Sequence, residues 1–167
     1  LFNSNESIRD FLSQAKSICD DYEKEIELLE LYTKLEHFRF QDKFDYNITI
    51  DKNIHVNDFV IPPMLLQPYI ENAVWHGLRY LESKGYLNVS VTKHSNHLLW
   101  VIEDNGIGRK ASAEIKTQNQ KQGSSTGMKN IEQRIEILNK MNATNMSTKI
   151  IDLDQGTRVE ITIPFKA

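Results

Sequence analysis

Asn72 and His76 stand four residues apart in IPPMLLQPYIENAVWHGL, residues 61–78, a segment that is otherwise largely apolar. On a helix an i, i+4 pair shares a face. The Asn amide oxygen is a ligand that Mg²⁺ accepts, because that ion keeps several waters and takes few protein ligands. A plainer reading is a pair of polar groups bonded to neighbouring backbone. The second candidate is EDNGIG, residues 103–108. An ionised Asp104 only accepts hydrogen bonds, which suits an amino group. Gly106 and Gly108 allow close backbone approach or positive φ. With Ile107 they suit an amino-bearing heteroaromatic such as adenine, although Asp-Asn-Gly is equally strong turn chemistry. The third is SSTGM, residues 124–128. Ser125, Thr126, Gly127 and Met128 open a helical pattern, and free N–H groups at a helix start suit phosphate. Ordinary capping by Ser125 or Thr126 explains the same residues. Residues 109–129 hold Arg109, Lys110, Lys116, Lys121 and Lys129 against Glu114, a local charge of +4. That is either a field for phosphates or a solvated loop. No His or Cys pair has zinc-site spacing, and no serine sits in a nucleophile elbow.

These residues need elements to hold them. Residues 4–40 have helical periodicity: Ile8, Phe11, Leu12, Ala15 and Ile18, then Tyr22, Ile26 and Leu29, and again Leu28, Leu31 and Leu35. Asp20 with Glu23 forms a possible capping box, so two helices with a break at 19–21 are expected. The second, DYEKEIELLELYTKLEHF, has an apolar stripe wide enough to pack on its own domain or on a second copy. FDYNITI alternates as a strand. Pro62 and Pro63 suit the first turn of the next helix, but Pro68 costs roughly 3 kcal/mol in a helix interior. The regular helix is therefore expected from about Gln67. GYLNVSVTK and HLLWVIED form two strands joined at HSN. RKASAEIKTQNQKQGSS reads as a long polar loop. MKNIEQRIEILNKM is amphipathic, with Ile131, Ile135, Leu138 and Met141 on one face. MSTKIIDLD and TRVEITIPF close a hairpin around Gln155-Gly156. The order gives an α+β fold with helices over a mostly antiparallel sheet.

The chain has 167 residues, 40% of them hydrophobic, enough for one medium domain. Its net charge of −3 gives no global field for nucleic acid. Cys19 is the single cysteine, so no intrachain disulfide forms. The most apolar run, residues 59–70, is too short to span a bilayer and holds three prolines. No signal-peptide pattern is present, and the start at Leu1 is expected to be a cut from a longer protein.

In their order, the ENA helix, strand-DNGIG, polar stretch, TGM and GTRVEITIP closely resemble the ATP-binding domain of sensor histidine kinases. The resemblance is narrower to the Lyt-type and Yes-type kinases, whose domain opens with a phrase like IPPMLLQPYIENAVWHG. ELLELYTKLEHFRF is similar to their connecting helix, and the likeness covers roughly residues 22–167. It implies a Bergerat two-layer α/β sandwich over 42–167, preceded by a helical dimerisation and connector segment over 1–41. It implies ATP and Mg²⁺, with Asn72 on the metal and Asp104 on the adenine amino group. Gly106 and Gly108 would lie beside adenine, and Ser125, Thr126, Gly127 and Met128 at the phosphates. His76 would support the pocket, and 109–125 would be the ATP lid. The γ-phosphoryl group would pass to a His outside this chain and then to a response regulator. The full kinase would be a homodimer on the cytoplasmic side of a bacterial inner membrane, with no nucleic-acid partner. Three departures stand out. Ser125 replaces the first glycine of the phosphate box. Trp75 replaces a Lys found in many relatives. Pro68 takes the place of the catalytic Glu of related ATPases. No residue of the chain is singled out as catalytic. A non-catalytic signalling or dimerisation module of the same fold, or a free-standing ATPase, are the alternatives.

Overall fold

The computed structural model describes residues 22–55, 61, 64–119 and 126–165. The expected first helix, the Asp20 cap and Ser125 lie outside the described residues. Helix α1, Tyr22–Arg39, carries Glu23 and Glu25 in its first turn and His37 and Arg39 in its last, which complements the helix dipole. Strand β1 is Phe44–Ile50. Helix α2 is Gln67–Asn72, and it continues as a π-helical turn, Ala73–Gly77, and a 3-10 turn, Leu78–Tyr80. Strands β2, Gly85–Lys93, and β3, His97–Asp104, form a hairpin. Helices α3, Gly108–Asn119, and α4, Thr126–Asn142, precede the closing hairpin of β4, Ser147–Asp152, and β5, Thr157–Pro164.

The five strands run in the order β1-β2-β3-β5-β4. β1 and β2 are parallel, joined by a crossover through α2, and the other pairings are antiparallel. Strand period places Leu87, Val89 and Val91 beside Leu98, Trp100 and Ile102, which in turn face Val159, Ile161 and Ile163. All nine are buried. Leu65, Leu66, Ile70, Ala73 and Val74 are buried too, and belong to the same core cluster. This is the expected α+β architecture.

Three sequence expectations change. The polar stretch after DNGIG is not a loop at its start: residues 108–119 are helical. Ser112 is buried and Ala111 and Ile115 are half-buried, so the inward stripe holds one large apolar residue among polar neighbours. In α4, Ile131 and Ile135 are buried, but Met141 is 75% exposed, in the last turn before the chain leaves at Ala143, φ 50°. In α1 the buried stripe is Glu25, Leu29, Tyr32, Thr33 and Glu36, so two carboxylates flank its apolar centre, while Leu31, Leu35 and Phe38 face outward.

Candidate functional site

A cleft of about 400 Å³ opens where the core face of the sheet ends. Tyr69, Asn72, Ala73, His76 and Gly77 form one wall, a stripe at helical spacing along α2 and the π turn. The helix therefore buries one face and offers Asn72 and His76, both half-buried, to the cleft. The π turn closes where the N–H of Leu78 bonds the carbonyl of Ala73, five residues back. Such turns are rare and recur at functional sites.

The floor comes from the sheet. Leu98, Trp100 and Ile102 put every second side chain of β3 inward, and Asp104 is next in that series. A carboxyl thus takes the place a hydrophobe would hold, at 5% exposure. Its Oδ1 accepts the Gly106 N–H at 2.8 Å. Burial pushes the Asp104 carboxyl up to about 6, the Gly106 hydrogen bond opposes this, and the charge of Glu103 adds to it.

Close backbone packing surrounds that carboxyl. A Cβ on Gly77 would lie 2.8 Å from Asp104 Oδ1. A Cβ on Gly106 would collide with the Gly77 backbone. Gly156, φ +91°, packs its Cα face on the backbone of Asp104 and Asn105. Asn105 ties the corner down: its Oδ1 accepts the Tyr86 N–H at 2.6 Å, and its carbonyl accepts Gln155 Nε2 at 3.1 Å. Gly108 has φ +82° and starts α3 at the edge of the cleft. The DNG segment is both a turn and a pocket wall.

Helix α3 supplies the third wall through Arg109, Ser112, Ala113 and Lys116. Arg109 donates to both oxygens of Asp152 at 2.7 and 2.8 Å. Lys116 and Arg79 help burial hold the His76 imidazole below its ordinary range, so that ring is neutral at neutral pH. Glu132 of α4 also borders the cleft.

Of the residues singled out in the sequence, Asn72, His76, Asp104 and Gly108 line the cleft, and Gly106 forms the corner behind Asp104. Thr126, Gly127 and Met128 begin α4, as expected of a segment that opens a helix. Ser125 lies outside the described residues. Trp75 does not line the cleft. It faces α1, where its ring meets Phe40 at 5.1 Å. Glu71 does not line the cleft either, and its charge acts on Glu36 of α1. The sequence reading missed Gly77, Tyr69 and Glu132. Gly77 and Tyr69 fall on the Asn72 stripe and were findable by helical spacing; Glu132 had no local signal. The Asn72 side chain lines the cleft, and its amide oxygen is a donor of the kind Mg²⁺ takes.

No protein-family model matches the chain. It is 32% identical over 150 residues to the sensor protein LytS of Oceanobacillus iheyensis, covering 86% of this chain and 25% of LytS. It is 28% identical over 145 residues to the sensor histidine kinase YpdA of Escherichia coli, covering 86% of this chain and 24% of YpdA. The chain thus spans about a quarter of the length of these relatives. In fold it is similar to the histidine kinase domain of the blue-light-activated histidine kinase of Erythrobacter litoralis, with TM-score 0.59, 18% identity, and 83% and 59% of the two chains covered. The Acinetobacter baumannii histidine kinase AdeS gives TM-score 0.59 at 15% identity, over 88% of this chain and 66% of AdeS. With a mixed sheet under α2 and α4 and a buried Asp at the end of its central strand, the chain belongs to the LytS-type sensor histidine kinases and has the fold of their ATP-binding catalytic domain.

Proposed function

We propose that this chain binds ATP with Mg²⁺ in the cleft and directs transfer of the γ-phosphoryl group to a His side chain outside residues 1–167. The P–O bond to ADP breaks and a P–N bond to the imidazole forms. A response-regulator Asp then takes the phosphoryl group. The observation that carries this is the buried Asp104 carboxylate at the foot of an otherwise mostly apolar cleft, walled by Gly77 and Gly106. An acceptor with no room for a side chain beside it selects a flat ring bearing an amino group.

Asn72 is the residue that would hold Mg²⁺, which when bound neutralises phosphate charge. His76, neutral and beside Asn72, supports that end of the cleft as a hydrogen-bonding group rather than as a cation. Gly127 and its neighbours at the start of α4 offer backbone N–H groups to the phosphates. Residues 109–125 act as the lid, and within its described part Arg109 and Lys116 line the cleft. Phosphoryl transfer needs chiefly such positioning and electrostatics, not a covalent step on this domain. Residues 1–41 form the dimerisation and connector segment and 42–167 the ATP-binding domain. The assembled kinase is a homodimer anchored at a bacterial inner membrane through other regions. Among the described residues no helix is long and apolar enough to cross a membrane.

Titration calorimetry of ATP with and without Mg²⁺ tests the reading. The parent binds; Asp104→Ala loses at least about tenfold in affinity, equivalent to 1.4 kcal/mol. Asn72→Ala keeps Mg²⁺-free binding and loses the gain that Mg²⁺ brings. A folded parent with no ATP binding overturns the proposal.

A further inference from the structure

Trp75 stands between Asn72 and His76 in the chain but points the other way. Its ring is gripped by the end of α1. Phe40 meets it edge-on at 5.1 Å, and the Arg39 and Arg79 guanidinium carbons lie 5.5 and 5.4 Å from its centroid. Its indole N–H neighbours the Glu36 carboxyl and opposes the rise that burial imposes on it. Glu36 is 1% exposed, and its Oε1 also meets Arg39 at 3.3 Å.

A buried carboxylate is a costly way to pack two helices, since an apolar residue of similar volume often serves as well or better. It does something an apolar residue does not: it fixes direction and distance. The same device recurs at the far end of the α1 stripe. Glu25, also buried, accepts the Met64 N–H at 3.1 Å and bonds the Leu65 N–H, just where the chain enters α2. The connector therefore holds the nucleotide helix by directional contacts at both its entry and its π turn. The π turn is the stretch, Ala73–Gly77, that sets the rotation of His76 and Gly77 relative to Asn72.

We propose that Trp75 and Glu36 are positioning residues that lock the rotation of this helix, so that the placement of the connector sets how well Asn72 and His76 meet the metal-bound phosphates. The inference rests on the ATP reading above. Trp75, the departure from the Lys of many relatives, then has a role on the connector side of the helix and none as a phosphate cation.

The test compares MgATP with adenosine, which engages Asp104 but no metal. Both are titrated into the parent, Trp75→Phe, Glu36→Ala and Glu36→Gln, with thermal unfolding of each. Small misplacements of a positioned group cost up to about 100-fold. Trp75→Phe, which keeps a ring but no N–H, and Glu36→Ala are expected to weaken MgATP about tenfold or more while leaving adenosine within about twofold. Glu36→Gln keeps an acceptor for the indole and recovers most of the MgATP affinity. Unchanged MgATP binding in folded Trp75→Phe and Glu36→Ala overturns the inference and leaves the ATP reading intact. Equal loss of both ligands also overturns it, because the contact then only supports the fold. If Glu36→Ala does not fold, the Trp75→Phe and Glu36→Gln pair decides by the same split. A folded parent that binds neither ligand overturns the ATP reading itself.

Discussion

Asp104 carries a conflict between stability and function. Its carboxyl titrates at about 6 in the folded chain against 3.8 for an ordinary Asp. Between those values the native state keeps a proton that the unfolded state has lost, so native stability falls as pH rises and the loss is complete above about pH 6. A difference of roughly two pH units corresponds to about 3 kcal/mol at most. Asp104→Asn is therefore expected to stabilise the protein by on the order of 1–3 kcal/mol at pH 7.5, and to have little effect at pH 4. Urea denaturation at the two pH values measures this, and a gain independent of pH rules out burial of the charge as its source. On the proposed reading the same variant also loses ATP affinity, because the Asn oxygen accepts the Gly106 N–H and its NH₂ group then meets the adenine amino group. At this scale the sequence was legible where the signal was local. DNGIG announced an acceptor among glycines. It did not announce Gly156 as a wall, because that role is defined by contact with a strand end far away in the chain.

Elements were read well where burial is one-sided. Strands β2 and β5 alternate cleanly, β3 does so apart from the buried Val101, and all three emerged where the alternation placed them. Helix α3 did not, because Ile115 is the one large apolar residue on its inward stripe of Ala111, Ser112 and Ile115. Helix α1 was recognised, but its buried face was misjudged, since two of its five buried residues are glutamates. Apolar periodicity cannot find a face that uses carboxylates as acceptors for another element's backbone. Glu25 gives that lesson a test. Burial pushes its carboxyl up, while the N–H groups of Met64 and Leu65 and the charge of Arg134 on α4 pull it back. Glu25→Ala strands buried donors at the entry to α2, where Met64 already holds φ 60°. The expected loss is about 1–3 kcal/mol. Glu25→Gln retains an oxygen for these donors and should lose less than half as much. Thermal melts of the three proteins suffice, and equal losses would mean that the charge on Glu25 matters more than its acceptor.

At the scale of the whole molecule, the question is whether the cleft can spend ATP on water. Hydrolysis requires a general base or a water-positioning group beside the γ-phosphate. The position one helical turn before Asn72 is Pro68, whose place in the first turn of α2 suits its ring and offers no base. Glu71 is one residue from Asn72, about 100° away around the helix, and does not line the cleft. Asp104 lies at the adenine end of the proposed site, which leaves Glu132 as the other carboxylate bordering the cleft among the described residues. Its neighbour there is Tyr69, whose phenol is held above its ordinary range chiefly by burial and also by the Glu132 charge. Water attack without a placed base should run on the order of 10⁻³ s⁻¹ or slower, the range of an unassisted phosphoryl-transfer site. Phosphate release from Mg²⁺-ATP, followed over hours, measures it. Turnover approaching about 1 s⁻¹ would make this domain an ATPase in its own right. Loss of that turnover in Glu132→Gln, with ATP affinity kept, would identify the base. A slow rate with tight binding is the behaviour of a domain that holds its phosphoryl group for an imidazole.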